Sequence, residues 1–249
     1  MGQFFCIELL LGKDKLKKIH ASSVTIIGLG AVGGYCVEAL VRAGVGHLRL
    51  VDFDVIKKSN LNRHLLALNS TVGRSKAILA KERVLEINPS CKVEAVEAFA
   101  SAENIDALLD NGPDLVIDAI DSLTPKTQAL KACYEKKIPV ISSMGAATRV
   151  DPFALKFGDL LDTTHCPLAR HLRSRLKREH VGRGIMCVYS SEPRNLSAID
   201  VHNTIGEDAY ERGRKRSKLG SLPTITGIFG LTVAHHAIEM LCGGFKVKK

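Results

Sequence analysis

VTIIGLGAVGGYCVEALVRAG, residues 24–44, sets the reading of the whole chain. Val24 to Gly28 is a continuous apolar run bounded by Ser22-Ser23 and by glycine, the pattern of a strand buried on both faces. Ala31 to Ala43 has helical spacing and stops at Gly44, and a second apolar run, Leu48 to Val51, leads into Asp52. This is a βαβ unit of about thirty residues. Between its first strand and helix, Gly28, Gly30 and Gly33 form GxGxxG. Glycines there allow a tight turn and let a phosphate approach the backbone, while the helix N-terminus supplies N–H donors. Asp52 stands about twenty residues further on, where a carboxylate accepts hydrogen bonds from ribose hydroxyls. Motif, context and acid agree on an adenine nucleotide, against a turn used only for packing.

Working outward, the alternation continues. A helix is predicted over Arg74 to Ile87, a strand over Val93 to Ala98 and a short helix after Ser101. Then come a strand over Leu115 to Ala119, a helix after Thr124-Pro125 and a strand over Pro139 to Ser142. Repeated βα units imply an α/β, Rossmann-like fold with a largely parallel sheet flanked by helices. After Gly145 the pattern loosens into a strand at Ala154 to Gly158, a basic helix at Leu168 to Arg178, a strand at Ile185 to Tyr189 and an apolar helix at Thr224 to Leu241. No repeat or long linker divides the chain. The expectation is one domain over 1–249, with a nucleotide-binding half at about 20–145 and a substrate-side half at about 146–249.

The 249 residues sit near the upper end of what one α/β domain holds. Hydrophobic residues at 45% and charged residues at 24% are ordinary globular values and exclude extended disorder. The net charge of +9 suits phosphate-bearing partners, and equally a merely basic cytosolic protein. The N-terminal apolar run lacks a preceding basic region and a small-residue cleavage site, and no window approaches membrane-spanning length, so a cytoplasmic location is expected. The cysteines at 6, 36, 91, 133, 166, 187 and 242 are scattered singly, which argues against a disulfide framework and a CxxC zinc site.

The glycine motif alone does not separate ATP from NAD, so the residues that follow it carry the decision. They read Asp52-Phe-Asp54, then Ser59-Asn60-Leu-Asn62-Arg63, then Val72-Gly73-Arg74-Ser75-Lys76, and finally Asp118-Ala-Ile-Asp121-Ser122. In this order they resemble the ThiF/MoeB superfamily, the ubiquitin-activating-enzyme-like adenylyltransferases. The resemblance implies ATP and Mg²⁺ as cofactors, with Asp52 on the ribose, Asn60, Arg63 and Lys76 on the phosphates, and Asp121 serving the metal and the reacting phosphate. Asp54 and Asp118 join the cofactor-binding set, Asp118 either supporting the site or closing its strand. Physical chemistry fits these roles. Adenylation builds negative charge on the α-phosphate and pyrophosphate, which a guanidinium, an ammonium and a cation-holding carboxylate offset. Arg63 and Lys76 also read as plain surface charges, and Asp121 as a helix cap.

The second half narrows the resemblance. Gly145 to Pro152, Cys166 to Arg173, Val188 to Pro193 and Lys218 to Ser221 look like the tRNA threonylcarbamoyladenosine dehydratase (TcdA) branch. That implies ATP-driven cyclisation of a carboxylate-bearing modified adenosine in tRNA, by a homodimer with possible sulfur-relay partners. Independently, Arg170, Arg173, Arg175, Lys177 and Arg178 crowd one helix, and Arg214 and Arg216 belong to a second basic run. These are candidate RNA contacts, or solvated faces. Cys166 and Cys187 are candidate nucleophiles or small buried hydrophobes. Two departures stand out: no arginine precedes Arg42, where many relatives carry one that reaches the γ-phosphate, so that contribution is absent or comes from Lys13, Lys15 or another residue; and His64 stands where glutamine is common. The alternatives are an adenylyltransferase for the C-terminal glycine of a ubiquitin-like sulfur carrier, a non-catalytic nucleotide- and tRNA-binding module, and an NAD-dependent oxidoreductase.

Overall fold

A computed structural model of the chain describes residues 2–110, 112–200 and 218–245. Two helices that the sequence pattern did not signal, α1 (Phe5–Leu11) and α2 (Lys13–Ala21), precede the nucleotide-binding unit. The unit itself runs β1 (Ser23–Ile27), α3 (Gly33–Ala43), β2 (His47–Val51), α4 (Lys76–Ile87), β3 (Lys92–Val96). After a single turn, α5 (Ile105–Leu108), come β4 (Leu115–Asp118), α6 (Leu123–Glu135) and β5 (Val140–Ser143). The second half contributes β6 (Leu155–Asp159), α7 (Pro167–Arg178), β7 (Met186–Ser190), a small pair β8 (Ile199–Asp200) and β9 (Lys218–Leu219), and α8 (Pro223–Cys242).

Seven strands form one sheet in the order β3-β2-β1-β4-β5-β7-β6. All pairings are parallel except β6 against β7, which is antiparallel and closes the edge. The alternation of side chains along each strand divides the core. Ile26, Leu50, Leu115 and Ile117 face α3, α4 and α8, whereas Ile27, Val51 and Val116 face α5, α6 and α7. Burial on both faces is why these strands read as unbroken apolar runs.

Because the chain winds from β1 outward through β2 and β3, then returns to β4 beside β1, the order reverses between β1 and β4. Ligand clefts of open α/β sheets form at that reversal, beyond the carboxyl ends of the strands. The glycine turn leaves the end of β1 and the Asp118–Asp121 loop leaves the end of β4, so the topology brings both to one place.

The helix α8 corrects one expectation, because its 20 residues are long and apolar enough, by length and composition, to cross a membrane. Ile225, Phe229, Val233, Ala234 and Ala237 are buried, and the helix packs on α3 as a core element. Gly230 permits this approach: a Cβ there would lie 2.4 Å from the Val32 carbonyl oxygen and 2.8 Å from the Tyr35 Cβ. Gly230→Ala should therefore force α8 and α3 apart, costing about 1–3 kcal/mol and lowering the melting temperature by about 3–10 °C. A calorimetric scan with an unchanged melting temperature would refute this close-packing account.

Candidate nucleotide site

The glycine turn is held from three sides. Gly28 takes φ +96°, a conformation that only glycine adopts without strain, and its N–H donates to the Val51 carbonyl at 2.8 Å. A Cβ at Gly28 would stand 2.8 Å from the Ala119 carbonyl oxygen, and one at Gly33 would stand 1.9 Å from the Gly28 carbonyl oxygen. Asp52 fixes the turn from below: its Oδ2 accepts from Leu29 N–H at 2.7 Å and its Oδ1 from Asp54 N–H at 2.9 Å. Each carboxylate oxygen keeps a second lone pair for a ribose hydroxyl. Burial pushes the Asp52 carboxyl above its ordinary value, and Lys76 and the two backbone donors offset only part of that rise.

Lys76 begins α4 and is almost wholly buried, with its Nζ 2.8 Å from Asp54 Oδ2. It is no freely solvated surface charge. Asn60 is buried and its Oδ1 accepts from Lys57 N–H at 3.1 Å, which shapes the loop before Arg63. Arg63 Nη1 donates to the Ser59 carbonyl at 2.9 Å and to Asn62 Oδ1 at 2.7 Å. The neighbouring imidazole of His64 lies against the turn, its Cε1 3.6 Å from where a Gly30 Cβ would be. Burial, then the Lys76 and Arg63 charges, push His64 down to about 3, so the ring is neutral near pH 7.

At the end of β4, Asp118 is fully buried and faces inward. Its Oδ2 lies 2.8 Å from Lys126 Nζ and accepts from Ser142 Oγ at 2.6 Å, while its Oδ1 accepts from Ile120 N–H at 3.1 Å. Lys126 also donates to the Ile120 carbonyl at 3.0 Å. Of the two readings of Asp118, its full burial and the protein donors on both oxygens favour support of the site. Lys126, invisible as a site residue in the sequence, completes that support from α6. Asp121 projects exposed at the rim, with Ser122 Oγ 3.3 Å from its Oδ1. The N-cap position of α6 falls on Ser122, one residue beyond Asp121.

In the second half, Arg170, Arg175, Lys177 and Arg178 are exposed on α7. Arg175 Nη1 donates to Thr124 Oγ1 at 2.9 Å, which ties the basic helix to α6 three residues past Asp121. Arg173 departs from the predicted basic face. It turns inward, and its Nη1 donates to the Thr163 carbonyl at 2.9 Å and to Thr163 Oγ1, closing the turn before α7. Arg214 and Arg216 lie outside the described residues. Arg149, buried among these loops, donates to the Glu192 and His165 carbonyls. Cys166 and Cys187 are both buried, and burial pushes the Cys187 thiol up to about 12, which leaves it protonated and unreactive. Lys15 is tied to the Gly244 carbonyl at 2.5 Å. Among the described residues, His235, His236 and Glu239 could hold a metal ion, and they sit on α8 rather than beside Asp121.

The model of the family described as "ThiF family" matches residues 6–248. The tRNA threonylcarbamoyladenosine dehydratase of Bacillus subtilis is 36% identical over 249 residues, covering 100% of this chain and 98% of the relative. That of Escherichia coli is 34% identical over 243 residues, covering 93% and 90%. The crystal structure of the E. coli dehydratase in complex with ATP superposes with a TM-score of 0.86 at 31% identity, over 97% of this chain and 94% of that one. The E. coli molybdopterin-synthase adenylyltransferase is 36% identical, but over only 56% of this chain and 54% of its own.

Two predictions follow from the ion pairs. Lys126→Met should destabilise the fold by about 3–5 kcal/mol, because it strands a buried carboxylate, and the Asp118→Asn/Lys126→Met double variant should recover much of that loss. Urea titrations in which the single and double variants unfold alike would refute the pairing. Burial pushes the Asp54 carboxyl up, but the Lys76 and Lys57 ammonium groups outweigh it and hold the group below its ordinary 3.8. Because the folded-state value is depressed, its stabilisation is fully present above the ordinary value and fades as pH falls through the lowered one. The stability gap between the parent and Lys76→Met should therefore narrow from neutral pH to about pH 3. Denaturant titrations across that range would contradict the account if the gap held constant.

Proposed function

The chain belongs to the ThiF family, and from that premise we propose that it is an ATP-dependent tRNA threonylcarbamoyladenosine dehydratase. The observation that carries this reading is likeness along the whole length: the dehydratase relatives align through both halves, whereas the molybdopterin-synthase adenylyltransferase aligns over about half. Full-length likeness favours the dehydratase reading over the sulfur-carrier alternative.

The residues support a two-step reaction. The glycine turn and the N-terminus of α3 receive the phosphates, and Asp52 orients the ribose. Arg63 and Lys76 offset the charge that grows on the α-phosphate and pyrophosphate as the substrate carboxylate bonds to phosphorus. Lys76 is preset by Asp54, so little of its side-chain freedom remains to be lost when phosphate arrives. Attack within the modified nucleoside then forms the ring and releases AMP, which carries away the carboxylate oxygen; the net change is loss of water driven by ATP. Mg²⁺ fits the rim, where one exposed carboxylate, Asp121, lies beside the expected phosphates, a donor set this cation favours. It would neutralise phosphate charge there. The exposed Arg170, Arg175, Lys177 and Arg178 adjoin that rim through Arg175 and suit the backbone of tRNA. One domain over 1–249, acting in the cytoplasm as a homodimer, completes the reading.

ATP–pyrophosphate exchange should be stimulated by tRNA bearing threonylcarbamoyladenosine and not by a Gly-Gly-ended carrier protein; the reverse preference would overturn the assignment. Arg63→Ala and Asp121→Asn should each lower turnover by about 10²–10³-fold with unchanged circular dichroism. Full activity in either variant would remove that residue from the mechanism.

A further inference from the structure

The imidazole of His64 has no explanation in the fold alone. It packs beside the glycine turn, with its Cε1 3.6 Å from the place of a Gly30 Cβ. The ring therefore borders the space beside the Gly30 backbone. Independently, His64 Nδ1 is enclosed and has no hydrogen-bond partner, one of two such side-chain atoms among the described residues; the other is Arg149 Nε. Buried polar atoms of native proteins are almost always bonded, so an orphan at a binding turn points to a partner that arrives with the ligand.

We infer that His64 is a direct contact of the bound nucleotide, donating a hydrogen bond from Nδ1 to a phosphate oxygen beside Gly30. The inference rests on the ATP reading given above and adds a residue to it. Phosphate oxygens only accept, so binding selects the tautomer that carries its proton on Nδ1. The ring stays neutral between Arg63 and Lys76, under burial and the repulsion of both cations. It therefore adds a directional donor without a third positive charge in the same cleft.

The test is calorimetric titration of the purified full chain with ATP, ADP and adenosine, alongside thermal unfolding. His64→Leu should weaken ATP and ADP binding about tenfold and leave adenosine unchanged. His64→Asn, whose amide nitrogen falls near the position of Nδ1, should restore most of the affinity. His64→Gln, whose amide falls near Nε2, serves as a second variant that keeps a polar side chain if leucine disturbs folding, and it should bind ATP more weakly than asparagine does. The inference is overturned if His64→Leu binds ATP as the parent does, if ATP and adenosine weaken equally, or if asparagine is no better than leucine. A parent protein that binds no ATP would instead overturn the underlying reading.

Discussion

Gly28 passes so close to the Ala119 carbonyl that a Cβ at Gly28 would collide with it, and the arrangement of the nucleotide site depends on that contact. It joins the end of β1 to the loop leaving β4, the two places where the sheet reverses its order. Without it the glycine turn and the Asp121 rim would be separate features. Asp52 fixes one side of the contact by accepting the Leu29 N–H, and Asp118 fixes the other by accepting the Ile120 N–H. Two carboxylates at equivalent strand ends thus perform the same mechanical task from opposite directions.

Their surroundings give them different chemistry. Asp118 is sealed by Lys126 and Ser142, so its charge is spent inside the protein. A pair of this kind is a poor source of net stability compared with apolar packing, but breaking it is costly, so it holds the loop in one conformation. Asp52 retains acceptor capacity toward the cleft. Asp54 and Lys76 form the intermediate case, a pair near the edge whose ammonium sits at the N-terminus of α4, where the helix dipole already favours an incoming anion.

The second half of the chain follows the same logic with fewer regular elements. The Arg149 guanidinium gathers two loops through their carbonyls, and Arg173 closes the turn that starts α7. With these arginines engaged inside, the outward residues of α7 are left as the exposed cationic face, and Arg175 ties that face to α6 beside the rim.

By itself the sequence determined the strand–turn–helix unit and the order of the βα repeats, because these rest on local periodicity and on glycines at fixed spacing. Helices α1 and α2 escaped because they are short, 7 and 9 residues, and bury only Leu16 and Ile19 between them. The tertiary structure alone decided that β6 runs antiparallel, that Arg173 turns inward while Arg175 does not, that Lys126 meets Asp118, and that His64 rests against Gly30. Each of these depends on which distant segments pack together. A basic side chain eight residues from its carboxylate, or thirty-four from its glycine, carries no local signature of the partner it finds when the sheet closes around it.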